Sequence, residues 1–361
     1  MRRTLLLLVA GLAGCSSLSL GTPLRPPDAR APGPTIVRAW EEASGAAFGP
    51  AAPILTQDVL VIGTRQGEVR ALDPETGRLR GSVSLGRSVE GQLAVAPDGR
   101  TVYVPLAEAD GGLVAYDVVG GAVRWRWPGG GIQGGVVRLA DEVVTTTRAG
   151  ETVGLDPDTG EVRWTHRATP GAQVHAAPVA LGRDVIVADD RGRVVRLAGA
   201  TGEVVWSGEI GQPIYSTPLV DEDVYLTSTR GRVIRLAAAT GATRWVQDRA
   251  GDPRASPPVR IDGSIVVGFT DGRVAALDRS TGEPVWETTL GAAITARPAA
   301  FSGRIAVGTM DNRLVLLDAD TGQPGWSADL RGRVKSAVGI GSGLVVVLIE
   351  PQHVVAFRSA P

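Results

Sequence analysis

The sequence predicts an all-β protein: an eight-bladed β-propeller of four-stranded antiparallel blades, the last blade closed by the N-terminal strand. Three observations carry this. One pattern, clearest as Gly272-x-Val274-x-Ala276-Leu277-Asp278-x-x-Thr281-Gly282-x-x-x-Trp286, recurs at intervals of about 40 residues, the length of one blade. Gly 48 and Pro 24 among 361 residues suit many turns and argue against long helices. Three apolar stretches at the C-terminus lack a fourth strand, and one orphan stretch at the N-terminus can supply it.

Each part of the pattern has a physical role. Val and Leu alternate with small or polar residues before the turn, as in a strand with one buried face. Asp-x-x-Thr-Gly then makes a tight hairpin, with the Asp oxygen accepting backbone N–H groups and the Gly at positive φ. Further copies occupy residues 150–164, 192–206, 231–245 and 312–326, with a looser one at 112–125. Residues 67–81 hold everything except the final Trp. The turn glycines are Gly77, Gly121, Gly160, Gly202, Gly241, Gly282 and Gly322. A large ring once per repeat is expected to pack between blades, and Trp40, Trp125, Trp164, Trp206, Trp245, Trp286 and Trp326 fit that series. Trp127 stands outside it.

The blade count comes from the ends. Residues 334–340, 344–349 and 353–357 read as three strands with no successor, while residues 35–40 read as a lone strand ending in Trp40. Pairing them completes an eighth blade and removes the exposed edge. Residues 35–358 are therefore read as one propeller domain.

The N-terminus reads as an address. Arg2 and Arg3 precede an apolar run, 5–12, too short to span a bilayer. Leu12-Ala13-Gly14-Cys15 resembles a bacterial lipobox, and Cys15 is the only cysteine. The resemblance implies a lipoprotein signal peptide over residues 1–14, cleavage before Cys15 and lipid, palmitate included, on Cys15. Residues 15–34, rich in Ser, Pro and small residues, read as the lipidated cysteine and a flexible tether. Ser16 after the cysteine goes with outer-membrane sorting, the propeller facing the periplasm; a host with one membrane would carry it on the outer face of that membrane.

Composition excludes several functions. Lys+Arg 37 against Asp+Glu 38 gives a net charge of −1, with no basic excess for nucleic acid. A single cysteine excludes an intrachain disulfide and a cysteine zinc site. His166, His175 and His353 fall in different blades, so no metal site is expected. Residues 156–161 look superficially like a calcium loop, but the same stretch recurs as the hairpin turn. The glycine-rich run 129–135 lacks the Gly-Lys-Ser/Thr of a phosphate loop. No catalytic residue and no cofactor are expected.

The repeat resembles that of quinoprotein-type, PQQ-like propellers over residues 35–358. That family has two relevant branches. Quinoprotein alcohol dehydrogenases carry PQQ and calcium in an eight-bladed ring; this chain is far shorter and shows no calcium-ligand cluster. The BamB lipoproteins combine a lipobox, a short tether and an eight-bladed ring without a cofactor. The resemblance implies a non-catalytic, monomeric propeller that binds envelope proteins, the β-barrel assembly machinery among them. The alternative is a quinone-dependent or ligand-binding propeller using the central funnel.

One row of residues stands out. Aligned on Pro53, Leu93, Val136, Pro178, Pro218, Pro257, Pro298 and Val338, the position two earlier is always small, from Ala51 to Ser336. Three earlier stand Pro50, Glu90, Gln133, His175, Tyr215, Arg254, Thr295 and Lys335, mostly polar and different in each blade. Strand alternation turns this row away from the small one, toward a funnel mouth that is either a polar binding pocket or a solvated wall.

Overall fold

The computed structural model describes residues 17–248, 251 and 253–360. The signal segment 1–14 and Cys15 lie outside the described residues. Eight four-stranded antiparallel sheets make up the described chain. Seven of them take their strands in chain order from the axis outward, beginning with Ile54–Leu55, Leu60–Gly63, Glu68–Leu72 and Leu79–Ser84 in blade 1. The eighth is composite. Gly339–Gly341, Leu344–Ile349 and His353–Ser359 are flanked on the outside by Ile36–Ala43, which pairs from Ile36↔Ser359 to Ala43↔His353. The two chain ends thus lock the ring.

The core lies between neighbouring sheets. Second and third strands are buried on both faces, as Leu344–Ile349 shows throughout its length, while outermost strands alternate exposed and buried residues. The Trp of each outer strand does two things at once. Its ring covers the turn glycine of the next blade, and its indole N–H donates to the carbonyl one residue past the start of that turn. Trp40 bonds Pro74 O (2.8 Å), Trp164 bonds Gly199 O (2.7 Å) and Trp206 bonds Ala238 O (2.8 Å). Trp125, Trp245 and Trp286 bond Pro157, Arg279 and Ala319 in the same way. Gly241 has φ +72°, and a Cβ there would stand 2.5 Å from the Trp206 ring, so both conformation and space require glycine. Trp326 instead meets Phe357 edge-on, 5.5 Å between centroids, because blade 8 has no such turn.

Blade 1 carries Gly81 where the other outer strands carry Trp. The N-terminal segment fills that gap. Leu18 is fully buried between blades 1 and 2 and lies against Gly81. Leu20 N–H donates to Val118 O at 2.7 Å, the carbonyl that a Trp indole would take in this seam. The segment then crosses the inner hairpins in turn. Leu24 N–H donates to Gly99 O (2.8 Å), Gln57 N–H to Arg25 O (3.2 Å), Gly343 N–H to Arg30 O (2.7 Å) and the Ser302 hydroxyl to Pro32 O (2.6 Å). Residues 17–34 therefore form a strap across blades 2, 1, 8 and 7, where the sequence reading expects a flexible tether. Leu18, Leu20 and Leu24 have no helical or strand period, yet each has an apolar site to cover.

Candidate functional site

The inner strands are only two or three residues long, as in Leu219–Val220 and Val179–Leu181. Apart from Val136, which opens its strand, the aligned positions, many of them proline, lie on extended approach segments rather than in the sheet ladder. Proline has no N–H to donate to a ladder. These segments instead bond around the ring, Gln92 N–H to Gly134 O and Val136 N–H to Gln92 O, both 3.1 Å. The small row faces the next blade: a Cβ on Gly91 would stand 3.0 Å from Gln133 O. That close approach accounts for Ala51, Gly91, Gly134, Ala176, Ser216, Ala255, Ala296 and Ser336.

Glu90, Gln133, His175, Tyr215, Arg254, Thr295 and Lys335 line one axial cavity of about 440 Å³, together with Pro50. The structure adds Arg65, Thr270, Met310 and Glu350 to this mouth. These follow the second strand of their blades, a second periodic row that an alignment at that position reveals.

The mouth is polarised around its rim. Glu90 faces Arg65 at 3.5 Å and Lys335 holds Glu350 at 2.7 Å, so both carboxylates are paired with cations. On the other side His175 packs on Tyr215, 4.5 Å between ring centroids, and Arg254 lies over the same Tyr ring at 5.4 Å. His175 Nδ1 shares a hydrogen bond with Gln133 Oε1 at 3.1 Å. Burial, reinforced by Arg148 and Arg254 and opposed by Asp190, holds its pKa below the usual imidazole value, so the ring is neutral near pH 7. Tyr215 is 37% exposed, an aromatic face open to the cavity.

Beneath the mouth the cavity continues into a throat of about 290 Å³. Ala52, Ala177, Thr217 and Ala337 line it, and Arg297 stands at the equivalent place in blade 7. Sequence reasoning missed Arg297. It occupies the position one before the aligned proline, where it is the only charged residue among the eight blades.

The site does not suit the calcium-bound quinone of the related dehydrogenases. A calcium ion takes six to eight oxygen ligands. Here Glu90 and Glu350 are already neutralised by Arg65 and Lys335, and no group of three His, Cys, Asp or Glu gathers among the described residues.

Fold and site define an eight-bladed propeller of the PQQ-like repeat class with a polar axial funnel. The chain belongs to a family within that class: a family model described as outer membrane protein assembly factor BamB matches residues 37–171, 168–297 and 270–360. Among solved structures, BamB from Moraxella catarrhalis is 23% identical, with a TM-score of 0.77 over 90% of this chain and 100% of that one. Quinohemoprotein alcohol dehydrogenase from Comamonas testosteroni is 14% identical, with a TM-score of 0.76 over 90% of this chain and 77% of that one. The computationally designed Ika8 protein is 20% identical, with a TM-score of 0.78 over 89% of this chain and 99% of that one. At these identities the likenesses speak for the fold. No curated protein matches the chain.

Proposed function

We propose that this protein is a non-catalytic, lipid-anchored scaffold of the outer membrane, its propeller in the periplasm, that serves β-barrel outer-membrane protein assembly through contacts with the assembly machinery. The observation that carries this reading is the family match, which runs almost without interruption from residue 37 to residue 360. Cys15 after Leu12-Ala13-Gly14 supports lipid anchoring, and Ser16 supports outer-membrane sorting. The paired funnel carboxylates support a scaffold over a metal-dependent oxidoreductase. Binding would use exposed outer-strand edges or rim loops, by strand addition.

Affinity capture of the native protein from detergent-solubilised envelopes, read by mass spectrometry, tests this. Recovery of the outer-membrane barrel insertase with its lipoprotein partners supports the reading. Recovery of a different complex discards the assembly role. Cys15→Ser is expected to release the protein from the membrane fraction, and retention there would refute the anchor.

A further inference from the structure

We propose that the throat of the axial channel is a binding site for a small organic carboxylate, held by the guanidinium of Arg297. Arg297 projects from blade 7 into a ring of mostly small side chains, which leaves space beside it. Its Nε is closed to solvent and meets no hydrogen-bond acceptor. No ion pair or hydrogen bond of its guanidinium joins it to another described residue, although nearly every other funnel charge is paired. A desolvated cation without a partner is costly, and a bound anion removes that cost.

The surroundings select the kind of anion. A phosphate dianion needs several donors. Most polar groups nearby are committed: the Gln92 amide bonds both N–H and O of Ala52, the Ser216 hydroxyl bonds Thr227, and Thr217 Oγ1 accepts from Ala177 N–H at 3.2 Å, keeping only its own O–H to donate. Lys335 is held by Glu350. Beside that hydroxyl one charged, planar fork remains, which matches the two coplanar oxygens of a carboxylate. Pro50, Ala52, Ala177, Pro257, Ala337 and Val338 offer apolar contact for an organic body, and the His175–Tyr215 pair lies above for its far end. This inference does not depend on the scaffold reading, since it concerns the axis and not the rim.

Calorimetric titration of the full-length protein in detergent with acetate, benzoate and succinate tests it. At least one of the three is expected to bind saturably, with benzamide and inorganic phosphate weaker than benzoate by about tenfold or more. Arg297→Gln is expected to lose carboxylate binding by about tenfold or more, and Arg297→Lys to fall between. No saturable binding by any of the three acids overturns the proposal. So does benzamide or phosphate matching the carboxylate, or Arg297→Gln binding as tightly as the unaltered protein. The benzamide and phosphate comparisons need no variant, so a folding defect in Arg297→Gln leaves the test intact.

Discussion

Two kinds of seam hold this ring together. Between blades 4 and 5 the chain uses its own repeat: Trp206 covers Gly241 and bonds Ala238 O. Between blades 1 and 2 the repeat lacks its Trp, and Leu18 with the N–H of Leu20 supplies the apolar cover and the hydrogen bond separately. The functions of one side chain have been divided between a side chain and a backbone group from a segment about a hundred residues away. The difference teaches that a repeat position is defined by what must be covered and which carbonyl must be satisfied. The residue type is secondary. The second seam also makes the N-terminal strap part of the fold.

The comparison breaks most visibly at the Trp seam. Trp206→Ala removes a ring that is 8% exposed together with its hydrogen bond, and is expected to cost about 3–5 kcal/mol in denaturant unfolding. Leu18→Ala removes less apolar volume and leaves the Leu20 bond to Val118, so a loss of about 2–3 kcal/mol is expected. Hydrogen exchange should then quicken at Leu20, whose N–H makes that bond, while the seam between blades 4 and 5 stays protected. An unchanged midpoint and unchanged exchange in Leu18→Ala would refute the strap as a seam element. The sharper test exchanges one device for the other. Gly81→Trp alone crowds Leu18, since a Cβ there already stands 3.1 Å from Leu18 Cδ1, and should loosen the strap. Gly81→Trp combined with Leu18→Ala should recover about 1 kcal/mol relative to Leu18→Ala. A double variant less stable than either single one would show that the two seams are not built on one plan.

How legible this was follows from what each region repeats. The blade count and its closure could be read because Asp-x-x-Thr-Gly-x-x-x-Trp recurs, and because residues 35–40 and the C-terminal strands each lacked a partner. The funnel mouth could be seen as a row because its residues hold one position in every blade. Arg297 holds a row position too, but it is the single charged exception in a row otherwise small apart from Gln92, and single exceptions are hard to distinguish from drift. The strap was not legible at all. Leu18 and Leu24 repeat nothing, and the burial of Leu18 follows from the absence of a Trp at Gly81, a gap that the sequence displays without naming what fills it.

The smallest expected effect separates the turns from the seams. Backbone N–H groups of Thr159 and Asp158 hold the Asp156 carboxyl down at about 2, and the Ser280 hydroxyl with the Thr281 N–H does the same for Asp278. A carboxyl depressed in the folded state contributes stability that is fully present above its ordinary range near 4 and is lost as pH falls through about 2. Blades 4 and 5 carry Ala198 and Ala237 at the same turn position, so no carboxylate there starts the hairpin. Unfolding midpoints measured from pH 7 to pH 2 should therefore decline below about pH 4. Asp278→Asn should lower the midpoint slightly at pH 7 and approach the unaltered protein near pH 2, because most of the stability contributed by the hydrogen-bonded charge is already lost by then. The effect is small because the turn is exposed and screened. Trp206→Ala and Leu18→Ala remove groups that do not titrate, so their losses should hold at every pH. If Asp278→Asn instead ran parallel to the unaltered protein down to pH 2, its turn would owe nothing to the charge, and the hairpins with Asp and those with Ala would be equivalent.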